Sequence, residues 1–374
     1  MKKTTLPLRN LINRSPLRAF LLIPFVLVCF ALSPTARAVD PAPDGGYPGD
    51  NTAEGEDALF SLTTGFGNTA TGFDALFSII DLGTLGGTYS AGQAINNRGQ
   101  VVGESYTTSG ELHAFLWQDG TMIDLGTLGG TYSSARGINE RGQVVGSNTI
   151  GSGESRAFLW QNGVLTDLGT LGGPSIGSTA NAINNQGQVV GASGTSTGEL
   201  HAFLWQDGIM TDLGVLSGTF SSAQSINEHG QIVGFGEGYS FIWQHGTMTD
   251  LISGRFAIPY DINDRGQVVG EAEIDPGTAD RAFLLQGDTL TDLGTLGGEG
   301  SVAQSINNRG QVVGVSETAR EKVVHAFLWQ GGTMADLGTL GRNFSNAEAI
   351  NDRGQIAGFS ETASGDFHAV LWTK

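Results

Sequence analysis

Residues 131–173 read TYSSARGINERGQVVGSNTIGSGESRAFLWQNGVLTDLGTLGG, and these 43 residues hold four strand signals. Residues 134–139 and 143–147 are short runs of small and β-branched side chains, linked by Asn139-Glu140-Arg141-Gly142. That link predicts a type I turn closed by a glycine bulge, because asparagine bonds back to the backbone and glycine takes the left-handed position. Residues 156–160 predict a third strand, followed by Asn162-Gly163, a strong two-residue hairpin signal. Residues 165–171 predict the fourth, with Gly172-Gly173 as its breaker. Four antiparallel strands in such a length are the unit of a β-propeller blade.

The same unit recurs along the chain. The phrase Ile-Asn-x-x-Gly-Gln-(Val/Ile)-(Val/Ala)-Gly begins at Ile95, Ile138, Ile183, Ile226, Ile262, Ile306 and Ile350, with spacings of 36 to 45 residues. A phrase of the type His/Arg-Ala-Phe-Leu-Trp begins at His113, Arg156, His201, Ser240, Arg281, His325 and His368. Asp-Leu-Gly-Thr-Leu-Gly-Gly or a variant begins at Asp81, Asp124, Asp167, Asp212, Asp250, Asp292 and Asp336. Fixed periods of this length mark solenoids or propellers. The last repeat lacks its own fourth strand, while an orphan one, 79–85, precedes the first. Were that strand to complete the last blade, no long sheet edge would stay exposed. An open β-solenoid would need neither the seven-fold count nor the permuted ending. The expectation is an all-β chain: a seven-bladed β-propeller of four-stranded antiparallel blades over 78–374, closed by strand 79–85.

The phrases His-Ala-Phe-Leu-Trp and Asp-Leu-Gly-Thr-Leu-Gly-Gly resemble the bacterial extracellular HAF repeat, over residues 79–374. The resemblance implies an exported or surface protein with propeller-like repeats and no agreed activity. Ahead of it, Asn51-Thr-Ala-Glu-Gly-Glu-Asp-Ala-Leu-Phe-Ser recurs as Asn68-Thr-Ala-Thr-Gly-Phe-Asp-Ala-Leu-Phe-Ser, a period of 17 residues. Segment 51–77 is similar to the short Asn-Thr-Ala-x-Gly repeats of bacterial surface fibres. It is too short to bury a solenoid core of its own.

Composition agrees with this reading. Glycine supplies 58 of 374 residues, about twice the usual share, which disfavours long helices. Residues 1–38 read as a signal peptide: a basic opening, an apolar run too short to span a bilayer, and Ala36-Arg37-Ala38 before the cleavage point. Segment 39–50, with three prolines, reads as a linker. The leader carries six basic and no acidic residues, leaving 13 basic against 37 acidic in the rest. So acidic a surface repels nucleic acid and anionic membrane, and neither is expected as a partner. Cys29 lies in the leader, so no disulfide is expected after cleavage.

Residues present in every repeat are assigned to folding. The Asn of each Ile-Asn phrase goes to its turn, and the His or Arg opening the third strand goes to the Asp of the fourth. No catalytic signature and no metal-ligand spacing occurs, so no catalytic residue, metal or cofactor is assigned. Binding is expected where repeats differ. Loops joining second to third strands vary in sequence, and Tyr89, Tyr132, Phe220 and Phe344 stand at matching inter-blade places. Two residues before each Ile stand Gln93, Arg136, Asn181, Gln224, Tyr260, Gln304 and Glu348, predicted to ring an axial channel. A notch beside Tyr239, Tyr260 and Asp261 is the predicted pocket, because the fifth repeat is the most irregular.

The function expected is a secreted binding module for extracellular polysaccharide or protein. The alternatives are a hydrolase of a lactone, ester or glycan with a calcium-dependent axial site, and a structural envelope or biofilm protein.

Overall fold

The computed structural model describes residues 52–54, 69–71, 77–172, 176–255, 257–274, 277–320 and 323–374. The predicted leader and linker, and most of segment 51–77, lie outside them. Contacts divide the chain into Met1–Asp44 and Gly45–Lys374, and every strand described belongs to the second unit. Thr52–Glu54 pairs in parallel with Thr69–Thr71, Thr52 facing Thr69, which is the register of the 17-residue repeat.

The remaining strands are all antiparallel within their repeats. In the second repeat the order is Gly129–Ile138, Val144–Ile150, Ser155–Gln161 and Val164–Asp167. The third, fourth and fifth repeats each form a separate four-stranded sheet. The others join into a larger sheet through single parallel bridges such as Leu112 with Tyr132, so the strands do not pair into one closed sheet. The strand predicted at 79–85 is Ser78–Asp81, and it pairs antiparallel with the last strand, Phe367–Thr373, with Ile79 facing Trp372.

Turn chemistry follows the sequence closely. Asn139 Oδ1 accepts from the backbone of Arg141 at 3.0 Å and of Gln143 at 3.1 Å, and Gly142 takes φ 75°. Asn162 and Gly163 sit at φ 52° and 83°, as a type I′ hairpin requires.

One expectation is corrected. Three Gly-Gly pairs, a composition that reads as a strand breaker, open long first strands, Gly86–Ile95, Gly129–Ile138 and Gly297–Ile306, and Gly129 still pairs with Ile150, whereas the first strand after Gly172 is Ser178–Ile183. Glycine is needed there for close approach, since a Cβ at Gly130 would run into the Thr149 carbonyl. The second-to-third loops are also less varied than their sequences suggest. At 107–111, 150–154, 195–199 and 362–366 the same hairpin closes, the fourth residue donating to the first (Gly110 to Thr107 at 3.0 Å).

Neighbouring repeats share their cores. One cluster unites Val102, Ala114 and Leu116 with Ala135, Val144 and Phe158 of the next repeat. Another unites Leu82, Ile95 and Phe115 with Ala357, Ala369 and Leu371, joining the first repeat to the last. A Phe of the His-Ala-Phe phrase belongs to each of these two clusters, and Phe158 is 0% exposed. Burying such a ring stabilises by roughly 2–3 kcal/mol.

Candidate functional site

The seven first strands lie side by side, and their register decides which side chains share a space. Each carries a bulge just before its Ile, as between Ala135 and Gly137, which turns one residue away from the pairing ladder. The residues so placed are Gln93, Arg136, Asn181, Gln224, Tyr260, Gln304 and Glu348. All seven line one cavity of about 550 Å³. Ser134, Ser225, Ser305, Tyr132, Asp261 and Glu104 share its wall.

The Ile that opens each Ile-Asn phrase narrows this space. Ile95, Ile138, Ile183, Ile226, Ile306 and Ile350 line both the wide cavity and a second one of about 220 Å³ beyond them. The second is ringed by hydrogen bonds that run from repeat to repeat. Asn139 Nδ2 donates to the Asn184 carbonyl at 3.0 Å, and the Glu140 backbone donates to Asn185 Oδ1 at 2.8 Å. The last such bonds lead back from Asn351 to the Asn96 carbonyl and from Asp352 to Asn97, at 2.9 and 2.8 Å. The third residue of the phrase is Asn97, Glu140, Asn185, Glu228, Asp264, Asn308 or Asp352. Every one supplies the same acceptor, which is why amide and carboxylate interchange there.

In the wide cavity the charges are unevenly placed. Arg136 Nη1 donates to Asn181 Oδ1 at 3.0 Å, and Asn181 Nδ2 to the Ala223 carbonyl at 2.8 Å. Asp261 accepts from Ser225 and Ser305 hydroxyls and from the Ile306 and Ile262 backbone, at 2.7 to 2.9 Å. Burial raises its carboxyl against the pull of these four bonds. Among the described residues Glu348 accepts only from Asn346 Nδ2, at 2.7 Å, and burial with nearby Glu104 pushes its carboxyl up to about 7. Tyr260 donates to Glu271 at 2.8 Å and Tyr89 to Glu104 at 3.2 Å. Burial first, and these carboxylates second, push both phenols up. The side chains of Gln93 and Gln304 and the Tyr132 hydroxyl make no hydrogen bond within the described protein.

The predicted notch does not assemble as a unit. Tyr260 and Asp261 line the cavity, but Tyr239 is 8% exposed and packs against Phe241, its hydroxyl donating to the Phe220 carbonyl at 3.3 Å. Of the four inter-blade aromatics, Tyr132 lines the cavity. The other three pack on neighbouring rings: Tyr89 on Tyr106, Phe220 on Phe235 and Phe344 on Phe359, all 5.6 to 5.7 Å between centroids. All four sit at bridges between repeats, as Phe344 does opposite Val324. Glu104 and Glu271 did not stand out in the sequence: they follow the glycine of Gly-Gln-Val-Val-Gly, where other repeats carry Ser, Ala, Phe or Val.

Away from the cavity, His113 meets Asp124 at 2.9 Å and His368 meets Asp81 at 2.8 Å, while Arg156 lies 3.7 Å from Asp167. The third strand is thus tied to the fourth in each of these repeats. Among the described residues, no three His, Cys, Asp or Glu come together as a group that could hold a metal ion.

No sequence-family description matches the chain, and no curated protein matches it either. Solved structures do. The chain is similar to the β-propeller domain of the Trilobed protease from Pyrococcus furiosus, which has an open velcro topology: 11% identity, TM-score 0.55, 76% of this chain and 95% of that one. It is also similar to the Pyrococcus horikoshii acylaminoacyl peptidase (13% identity, TM-score 0.51, 78% of this chain). A third likeness is to a puromycin-hydrolysing peptidase of Mycobacterium tuberculosis (11% identity, TM-score 0.50, 75% of this chain). The chain spans about half the length of these two peptidases, 52% and 50%. At such identities the likeness is one of fold, and by fold this chain is a β-propeller module.

Proposed function

We propose that the chain is an exported HAF-repeat protein whose seven blades form a propeller closed by strand 79–85, and that it binds extracellular polysaccharide in the wide cavity. Closure is supported by the pairing of Ser78–Asp81 with Phe367–Thr373 and by the hydrogen bonds that return from Asn351 and Asp352 to the first repeat. Export is supported by the leader-like 1–38 segment and the acidic remainder. The observation that carries the binding site is the convergence of one variable, polar position of every first strand on a single cavity of about 550 Å³. Amides, hydroxyls and phenols dominate its wall. Those groups match the hydroxyls and ring faces of sugars better than the apolar anchors that hold most peptides.

A glycan array probed with the protein and with a Q93A/Q304A variant tests this. The expected result is retention of at least one oligosaccharide and a loss of about thirtyfold in the variant, whose melting is unchanged; two hydrogen bonds near 1 kcal/mol each set that scale. Retention of no glycan, or equal binding by the variant, would contradict it.

A second reading is a hydrolase at the same place. Glu348, an acid held protonated to about pH 7 beside a second carboxyl, is the observation that favours it. Its calcium-dependent form would need donors from several repeats to converge on one ion.

A further inference from the structure

We propose that the Glu348 side of the wide cavity is an ammonium subsite, so that the polysaccharide it takes carries free, unacetylated amino sugars. This presumes the polysaccharide reading above and names its chemical class.

The geometry is that of a carboxyl without a counterion. Glu348 stands on strand Gly341–Ile350 and lines the cavity, with one hydrogen bond, from Asn346. Asn346 is itself 8% exposed, and its Oδ1 has no partner, so the wall behind the carboxyl adds an acceptor and no cation. The groups facing Glu348 from other strands are Glu104, Tyr89 and Tyr260, none of them basic. The basic side chain in the cavity wall, Arg136, is held on Asn181. Asp261 already has four donors, and Glu104 has the Tyr89 hydroxyl.

A half-buried carboxylate in a cavity wall with no cation is costly, and a ligand that supplies the cation relieves that cost. Tyr260 lines the same cavity, and the face of a phenol ring attracts positive charge. Flanking it on the adjacent first strands, Gln93 and Gln304 offer amides with no partner in the protein, suited to hydroxyls on the same sugar. A lysine side chain would satisfy the carboxyl but leave both amides unmatched, which favours the amino sugar.

The same charges set a pH dependence. Glu348 ionises near 7 in the free protein, so capture of a cation expels a proton over that range. For a ligand of constant charge, affinity therefore rises as pH increases from about 6 to 8.

Titration calorimetry on the intact protein tests this with four probes: a glucosamine tetramer, its N-acetylated counterpart, a trilysine peptide and choline, whose charge does not titrate. The expected result is at least tenfold preference for glucosamine over the N-acetylated tetramer at pH 7. E348Q should abolish that preference while leaving the N-acetylated tetramer within about twofold. Choline should bind more tightly at pH 8 than at pH 6, and E104Q should move that rise to lower pH. Equal affinity for both tetramers would overturn the ammonium subsite and leave the polysaccharide site standing. Binding of trilysine in preference to either tetramer would overturn it in favour of a peptide. If no probe binds, the ammonium subsite falls, and the glycan array decides the polysaccharide reading. A preference that survives in a folded E348Q variant would also overturn it.

Discussion

Single residues do three separate jobs in this chain, and each is open to test. Gly146, the last residue of the Gly-Gln-Val-Val-Gly phrase, faces the first strand of its own repeat. A Cβ there would run into the Ser134 carbonyl oxygen and lie 2.9 Å from Ala135 Cα. Gly146→Ala is expected to destabilise by about 2–3 kcal/mol, whereas Gly151→Ala, with only a 3.7 Å contact, should change little. Paired denaturant melts decide this. Asn139 closes its turn through Oδ1 and reaches the next repeat through Nδ2. Asn139→Asp keeps the first role and turns a donor into an acceptor facing the Asn184 carbonyl, at an expected cost of about 2 kcal/mol in the same measurement. The turn was readable from sequence, because Asn-x-x-Gly is local chemistry. The link to the neighbour was not, since nothing in one repeat states where the next one sits. Glu348 acts through its charge. Its carboxyl is raised in the folded protein, so the folded state holds the proton longer than the unfolded chain, and the stability this gives is present at pH 4 and lost as pH rises to about 7. Glu348→Gln should therefore gain on the wild type between pH 5 and pH 8, by up to about 3 kcal/mol in urea melts. A constant gap between the two proteins would contradict it.

Strands show where sequence reading succeeds and where it stops. Hairpin links such as Asn162-Gly163 fix the third and fourth strands, because their residues tolerate positive φ and others do not. The first strand begins earlier than its side chains suggest. Gly129-Gly130 has the composition of a break, yet its backbone closes on 149–150, and only the partner strand explains it. The position that lines the cavity stands out in the sequence as a polar or amphipathic residue in an otherwise small-residue strand. Tyr239 was misplaced because an irregular repeat suggests an opening, whereas the structure fills that space with the ring itself. The short strand Ser78–Asp81 carries the clearest element-scale prediction. It covers Phe367–Thr373, where Trp372 is 0% exposed and donates to the Leu337 carbonyl at 3.0 Å. Beginning the chain at Gly83 should expose that edge, lower the melting temperature by several degrees and promote self-association visible in light scattering. An unchanged melt would mean that the strand contributes nothing to closure.

At the scale of the molecule, hydrophobic burial is spread over seven clusters between neighbouring repeats, so stability does not depend on one core. Apolar packing and strand pairing hold these sheets together. Melting is expected to be the same in calcium and in chelator, and a rise of several degrees with calcium would instead promote the hydrolase reading. What the repeats share builds the scaffold, and what they vary at one register meets in one cavity. That cavity is the proposed site of polysaccharide binding. The most direct measurement is a crystal structure of the protein with an oligosaccharide that it retains. A sugar ring is expected in contact with Gln93, Tyr260, Gln304 and Glu348. A sugar bound on the outer strands beside the His–Asp pairs, with the cavity holding only solvent, would contradict it.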